Sequence, residues 1–123
     1  MALYKLRFFF DWGAGCLWSA NDAARAAFEY AVEPEQLPLS PTTIRRIHEL
    51  AAWHDTALNW EYPPDPGPWR QDECDRFNAA ARDLFQTIQH ELGAEFELIN
   101  QQHVFTEDPD LDRYLRDPRS FRR

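Results

Sequence analysis

The side chains that could perform catalysis are few and lie far apart along the chain. Cys16 follows a glycine-containing turn, Asp11 precedes that turn, and His54 belongs to a later segment. A thiol presented in a turn can act as a nucleophile, with a histidine or carboxylate as its base. No sequence spacing ties these three groups together. A small enzyme or ligand-binding domain with a cleft near Asp11, Cys16 and His54 is therefore the alternative function, not the leading one.

Motifs for metals and cofactors are missing from the sequence. His48 and His54 are six residues apart, so a helix would separate them instead of placing them one turn apart as zinc ligands. Gly13 and Gly15 complete neither a dinucleotide-binding motif nor a phosphate-binding loop. We assign no catalytic residue, no metal and no cofactor from the sequence.

Aromatic side chains beside carboxylates form the most informative pattern. They fall in two segments that read as loops, around residues 11–19 and 59–69. Exposed rings offer anchors and cation–π faces to a positively charged protein surface. In a small domain, tryptophans can equally fasten long loops to the core, and the sequence leaves both uses open. The predicted partner-binding residues are Asp11, Trp12, Trp18, Trp60, Glu61, Tyr62, Asp65 and Trp69.

The charge balance points to a basic protein partner. Lys and Arg number 13 against 21 Asp and Glu, which gives a net charge of −8. The whole excess lies in residues 1–106, because residues 107–123 carry five charges of each sign. Such a potential repels nucleic acid and attracts cationic surfaces. We expect a protein partner and no nucleic acid.

Hydropathy and cysteine content favour a cytoplasmic protein. No stretch approaches the roughly 18 apolar residues of a membrane span, so no membrane association is expected. Asp11 interrupts the apolar run that a signal peptide would need. Cys16 and Cys74 stand in no metal or redox spacing and are expected as reduced thiols.

The periodicity of the chain predicts an α+β domain. Residues 2–11 and 94–100 alternate as strands do, whereas three segments between them have helical patterns. Ser40-Pro41 is a typical helix start, and Gly93 a typical helix stop. The predicted helices cover residues 21–30, 41–58 and 71–92.

These elements predict a β-α-α-α-β order, with the N- and C-terminal strands neighbouring in one small sheet packed against about three helices. If they pair, Lys5 and Arg7 could face Glu95 and Glu97. The domain spans residues 1–106. The charged tail, 107–123, is predicted to be either disordered or a short helix around Leu111–Leu115.

Three short segments carry a resemblance to a known group of proteins. They are Phe8–Trp12, Trp18–Asp22 and the Leu-Asn-Trp-Glu-Tyr-Pro loop at Leu58–Pro63. Over about residues 4–100 the chain resembles a family of small acidic bacterial proteins, similar in type to the immunity proteins of polymorphic toxins. The resemblance implies an interaction role and no particular binding residues.

The leading hypothesis is a cytoplasmic protein-binding module, an immunity-type neutraliser of a basic toxin or enzyme. A third hypothesis is self-association through the aromatic surface, because a homodimer is the commonest oligomer of soluble proteins.

Overall fold

A computed structural model describes residues 1–123, in which three short strands and four helices follow one another along the chain. The α+β class predicted from the sequence is confirmed. Two single-turn 3₁₀ segments, Pro34–Gln36 and Pro118–Ser120, complete the regular structure. The elements are β1 (Tyr4–Phe8), β2 (Leu17–Ser19), α1 (Asp22–Phe28), α2 (Pro41–Asp55), α3 (Gln71–Leu92), β3 (Phe96–Asn100) and α4 (Leu111–Arg116).

The sheet has the order β2-β1-β3, with the N-terminal strand at its centre. The predicted pairing of the first and last strands is confirmed, and it is parallel, which requires a crossover connection such as the helices between them provide. Lys5 lies opposite Glu97 as expected. Arg7 lies opposite Ile99, so its predicted carboxylate partner on β3 is wrong.

The third strand, β2, is a correction to the predicted order. Residues 17–19 were expected to be part of a loop, but they pair antiparallel with β1 in the register Leu6 to Ser19. Three residues are too few to show an alternating pattern, and all three are buried. β1 and β3 are also shorter than predicted.

Side chains define where the helices start. Ser40 caps α2, its Oγ accepting a hydrogen bond from the Thr43 N–H at 3.2 Å. Glu91 on α3 accepts from the Ser40 N–H at 2.7 Å and from the Thr43 hydroxyl at 2.7 Å, and these hydrogen bonds lower the pKa of its carboxyl. The two long helices are thus joined at this end. α2 ends at Asp55, three residues earlier than predicted.

The core lies between the sheet and the two long helices. Alternate residues of β1 and the segment after it, Leu6, Phe8 and Phe10, are buried, and Phe8 meets Phe85 of α3 with ring centroids 5.6 Å apart. The opposite face of the sheet is covered at one end, where Trp18 stacks on Phe9 at 5.2 Å. None of the helices combines the length and apolar character needed to cross a lipid bilayer.

The C-terminal tail packs onto the proline-rich segment 59–69. The amide of Asn59 donates to the Tyr114 hydroxyl at 3.1 Å, and Leu111 is 1% exposed. The regular part of the tail is the short helix α4.

Candidate partner-binding surface

The C-terminal end of α2 brings the two aromatic loops together at one residue. The Gly13 N–H donates to the Asp55 carboxylate at 2.9 Å, and the Trp60 indole N–H donates to the Asp55 carbonyl at 2.6 Å. The latter bond satisfies a carbonyl that the helix end leaves free. Segments 11–15 and 59–69 therefore meet at Asp55 and form one candidate surface.

Trp12 covers a buried histidine at this surface. Its ring stacks on His54 with centroids 4.0 Å apart and remains 37% exposed. His54 is 3% exposed, and its Nδ1 has no hydrogen-bond partner. Aromatic rings surround it. Burial lowers the pKa of His54 to about 4, against the opposing influence of the Asp55 and Asp11 carboxylates.

Trp60 and Tyr62 are the most exposed aromatic side chains of the surface, at 59% and 58%. Their backbone is held in place by Asn59, whose side-chain oxygen accepts hydrogen bonds from the N–H groups of Glu61 and Tyr62, both at 3.2 Å. A fixed loop that presents large rings to solvent loses little entropy when a partner binds.

Trp18 and Trp69 are buried, so they act as anchors within the fold and not as exposed binding residues. The Trp18 indole donates to the Phe9 carbonyl at 2.8 Å, and the Trp69 indole donates to the Thr56 hydroxyl at 2.8 Å. They fasten the loops to the core. Among the eight predicted residues, these two support the surface from inside and the other six lie on it.

The carboxylates of this surface are not paired with a cation. Asp11, Asp55, Glu61 and Asp65 form no ion pair with Lys or Arg, whereas every arginine that does form an ion pair binds a carboxylate elsewhere. The C-terminus of α2 adds the negative end of its dipole at Asp55. The surface therefore keeps an uncompensated negative potential around its aromatic rings.

Sequence reasoning missed Leu115 as part of this surface. Leu115 is 53% exposed on α4 and lines a shallow groove of about 260 Å³ together with Trp60. Asp55 is also absent from the eight predicted partner-binding residues. The spacing of Leu111 and Leu115 signals a helix, but not which loop that helix packs against.

The residues of the alternative site do not form a catalytic arrangement. Cys16 is 2% exposed, and burial raises the pKa of its thiol far above the ordinary value, so the nucleophilic thiolate is disfavoured. No hydrogen bond joins Asp11, Cys16 and His54 to one another; the Asp11 carboxylate accepts instead from the Trp12 N–H at 2.9 Å. No three His, Cys, Asp or Glu residues cluster in a way that could hold a metal ion.

Comparison with known proteins gives one result. The family model described as Serratia CdiI immunity protein-like matches residues 4–103. This range includes the sheet, helices α1 to α3 and both aromatic loops. Comparison with individual curated proteins gives no match.

Proposed function

We propose, because the chain belongs to the Serratia CdiI immunity protein-like family, that it binds a protein toxin and thereby neutralises it. The family supports an immunity-type, protein-binding role. The charge of the toxin, and the residues that contact it, are the parts that we add from the sequence and the geometry.

The observation that carries the proposal is the surface at the end of α2. Trp12, Trp60 and Tyr62 present rings to solvent on loops that are fastened from inside. Exposed large aromatic side chains on rigid supports are the usual energetic centres of protein interfaces. We therefore propose that the toxin covers these rings.

The charge of the surface defines the toxin's complementary face. Unpaired carboxylates at Asp11, Asp55 and Glu61 surround the rings, and the chain as a whole carries −8. Opposite charges across an interface accelerate association and exclude wrong partners. We propose a basic toxin whose Lys and Arg side chains meet these carboxylates.

The test begins with identification of the partner. The tagged full-length protein is used to capture partners from its native host at low and at high salt, and mass spectrometry identifies them. We expect one basic protein in stoichiometric amount. Its purified form should lose its toxic activity when the tagged protein is added, and a captured protein whose activity is unaffected contradicts the proposal.

Substitution of Trp60 tests the surface itself. We expect Trp60→Ala and Tyr62→Ala each to weaken binding at least about tenfold, because interface centres of this kind contribute ~1.4 kcal/mol or more. Binding is measured by isothermal titration calorimetry, and circular dichroism verifies the fold of each variant.

Tyr30→Ala is the matched control. Tyr30 is 51% exposed, packs on Trp18 at 5.4 Å and lies outside the proposed surface. The affinity of Tyr30→Ala for the toxin should stay within about twofold of the wild-type affinity. Equal losses in Tyr30→Ala and Trp60→Ala would remove the assignment of the surface.

Sedimentation velocity of the purified protein separates toxin binding from self-association. We expect a monomer at micromolar concentration, with the aromatic surface free for the toxin. A dimer that Trp60→Ala dissociates would show instead that a second copy covers these rings.

A further inference from the structure

The C-terminal segment builds a cleft onto the proline-rich loop, next to the proposed surface. The cleft has a volume of about 580 Å³, a size that suits one or two side chains of a partner. Most of its walls come from residues 118–123, which lie outside the family match that ends at residue 103. The lining residues are Tyr62, Pro64, Asp65, Pro118, Phe121 and three arginines, Arg119, Arg122 and Arg123.

Arg123 holds the walls together. Its guanidinium donates to the Asp108 carboxylate at 2.8 Å, to Asp110 at 3.0 Å and to the Pro64 carbonyl at 3.1 Å. These contacts occupy Arg123 and fix the chain end against the loop, so the cleft is formed before any partner arrives.

Phe121 fixes the same segment from the inside. It is 6% exposed, its ring meets Tyr114 edge-on at 5.3 Å, and the Arg113 guanidinium lies 4.5 Å from its centroid. The cation–π contact and the aromatic pair attach residues 118–123 to α4.

Arg119 and Arg122 carry charges that are not paired within the chain. Neither forms an ion pair, in contrast to Arg70, Arg113 and Arg123. Arg122 uses one donor on the Phe121 carbonyl at 2.7 Å, which orients its guanidinium and leaves its other donors free. Planar guanidinium groups bind carboxylates through two parallel hydrogen bonds, and two such groups beside an apolar wall suit an acidic side chain.

We propose that this cleft binds an Asp or Glu side chain of the toxin through Arg119 and Arg122. The inference rests on the proposed function and adds a second recognition element to it. Tyr62 lines both the cleft and the aromatic surface, so one partner can contact both at once. The complementary face of the toxin is then basic opposite Trp60 and acidic opposite the cleft.

A nucleic acid or a nucleotide is the less suitable occupant. A polyanion laid across the cleft would meet Asp65 in its wall and the carboxylates of Asp11 and Glu61 on the adjoining surface. A single carboxylate confined to the cleft avoids the repulsion from Asp11 and Glu61 and meets Asp65 alone.

The first experiment tests the chemistry of the cleft without the toxin. Glutamate blocked at both ends is titrated into the ¹⁵N-labelled full chain, and the arginine side-chain Nε–H signals are followed by NMR. We expect saturable shifts of Arg119 and Arg122 with millimolar affinity. Blocked glutamine, which lacks the charge, should produce no saturable shift.

Variants and competing ligands make that experiment decisive. In the double variant Arg119→Ala/Arg122→Ala, the affinity for blocked glutamate should fall at least about tenfold, since both carboxylate-binding groups are removed. Arg45→Ala is the matched control, because Arg45 is exposed on α2 and unpaired. Equal responses to glutamate and glutamine overturn the proposal. Binding of adenosine monophosphate tenfold tighter than glutamate also overturns it and identifies a phosphate site.

The second experiment uses the captured toxin and separates the two proposals. Loss of binding in both Trp60→Ala and the double arginine variant supports both. Loss in Trp60→Ala alone, with the arginine variant within twofold of wild type, overturns the cleft assignment and leaves the proposed function standing. If no toxin is captured, the proposed function fails, while the NMR titration still decides whether the cleft binds carboxylates.

Discussion

His54 occupies a cage of four aromatic rings at the base of the proposed binding surface. The centroids of Trp12, Phe10, Phe77 and Phe105 lie between 4.0 and 5.8 Å from its own. The imidazole is neutral at ordinary pH because a charge in this setting would lose its hydration without gaining a partner. The support of Trp12 therefore depends on keeping this ring uncharged.

Acidification should destabilise the fold through His54. The pKa of its imidazole is about 4 in the folded protein and about 6.5 when unfolded, so the unfolded chain binds more protons between these values. The stability is fully present above about pH 6.5. It should fall by up to about 1.4 kcal/mol for each pH unit as the pH drops from about 6.5 to 4. Urea unfolding at a series of pH values measures this slope.

Two histidine variants assign the slope to its residue. His54→Phe keeps an aromatic ring in the cage and should flatten the profile between pH 6.5 and 4.5. His48→Gln, at an exposed histidine that contacts Glu35 at 2.9 Å, should retain the loss due to His54. A slope that persists in His54→Phe would assign the proton uptake to another group.

At the level of elements, the proline-rich loop is held so close to the rest of the chain that one position must be glycine. A Cβ on Gly67 would lie 2.1 Å from the Ala57 carbonyl oxygen, a backbone atom that cannot turn away. This approach places the loop against the residues that follow α2, next to the point where Trp60 bonds Asp55.

Gly67→Ala should therefore displace the loop. We expect a loss of about 1–3 kcal/mol in the free energy of unfolding, as for other overpacked sites, measured by urea denaturation. Gly15→Ala is the control, because a Cβ there meets no atom within 4 Å. If the two variants have equal free energies of unfolding, the loop accommodates the added methyl group without loss of stability, which contradicts the prediction.

Long periodic elements were predictable from the sequence, whereas pairings and exposure were not. The bounds of α3 were predicted as observed, since one apolar stripe and Gly93 define it. β2 was not predicted because three residues are too few to show an alternating pattern. Its position depends on pairing with β1. The residue types of the site were readable, but the exposure of Trp60 and the burial of Trp69 depend on how the loop packs.

At the level of the whole molecule, the two proposed recognition elements carry opposite charge. The aromatic surface bears unpaired carboxylates, and the cleft bears unpaired arginines, within a chain of net charge −8. Long-range attraction depends on the net charge, and short-range fit depends on the local pattern.

Association with the toxin should consequently depend on salt mainly through its rate. Raising the ionic strength from about 0.01 to 0.15 M shortens the screening length from roughly 30 to 8 Å. We expect the association rate constant to fall at least about tenfold, with a much smaller change in the dissociation rate. Stopped-flow fluorescence measures both rates, and Trp60→Ala should change mainly dissociation. Association rates that are equal at both salt concentrations would contradict electrostatic steering.

The central position of β1 has a consequence for the order in which the protein can be made. Its parallel neighbour, β3, is among the last elements synthesised, since Tyr4 pairs with Phe96. During translation, one edge of β1 has no hydrogen-bonded neighbour until β3 has been synthesised. Contacts between residues so distant in sequence also form slowly. The end of α2, with its two loops, lacks a finished sheet during this interval. The proposed binding surface is then expected to be finished only after β3 has been synthesised and has paired with β1.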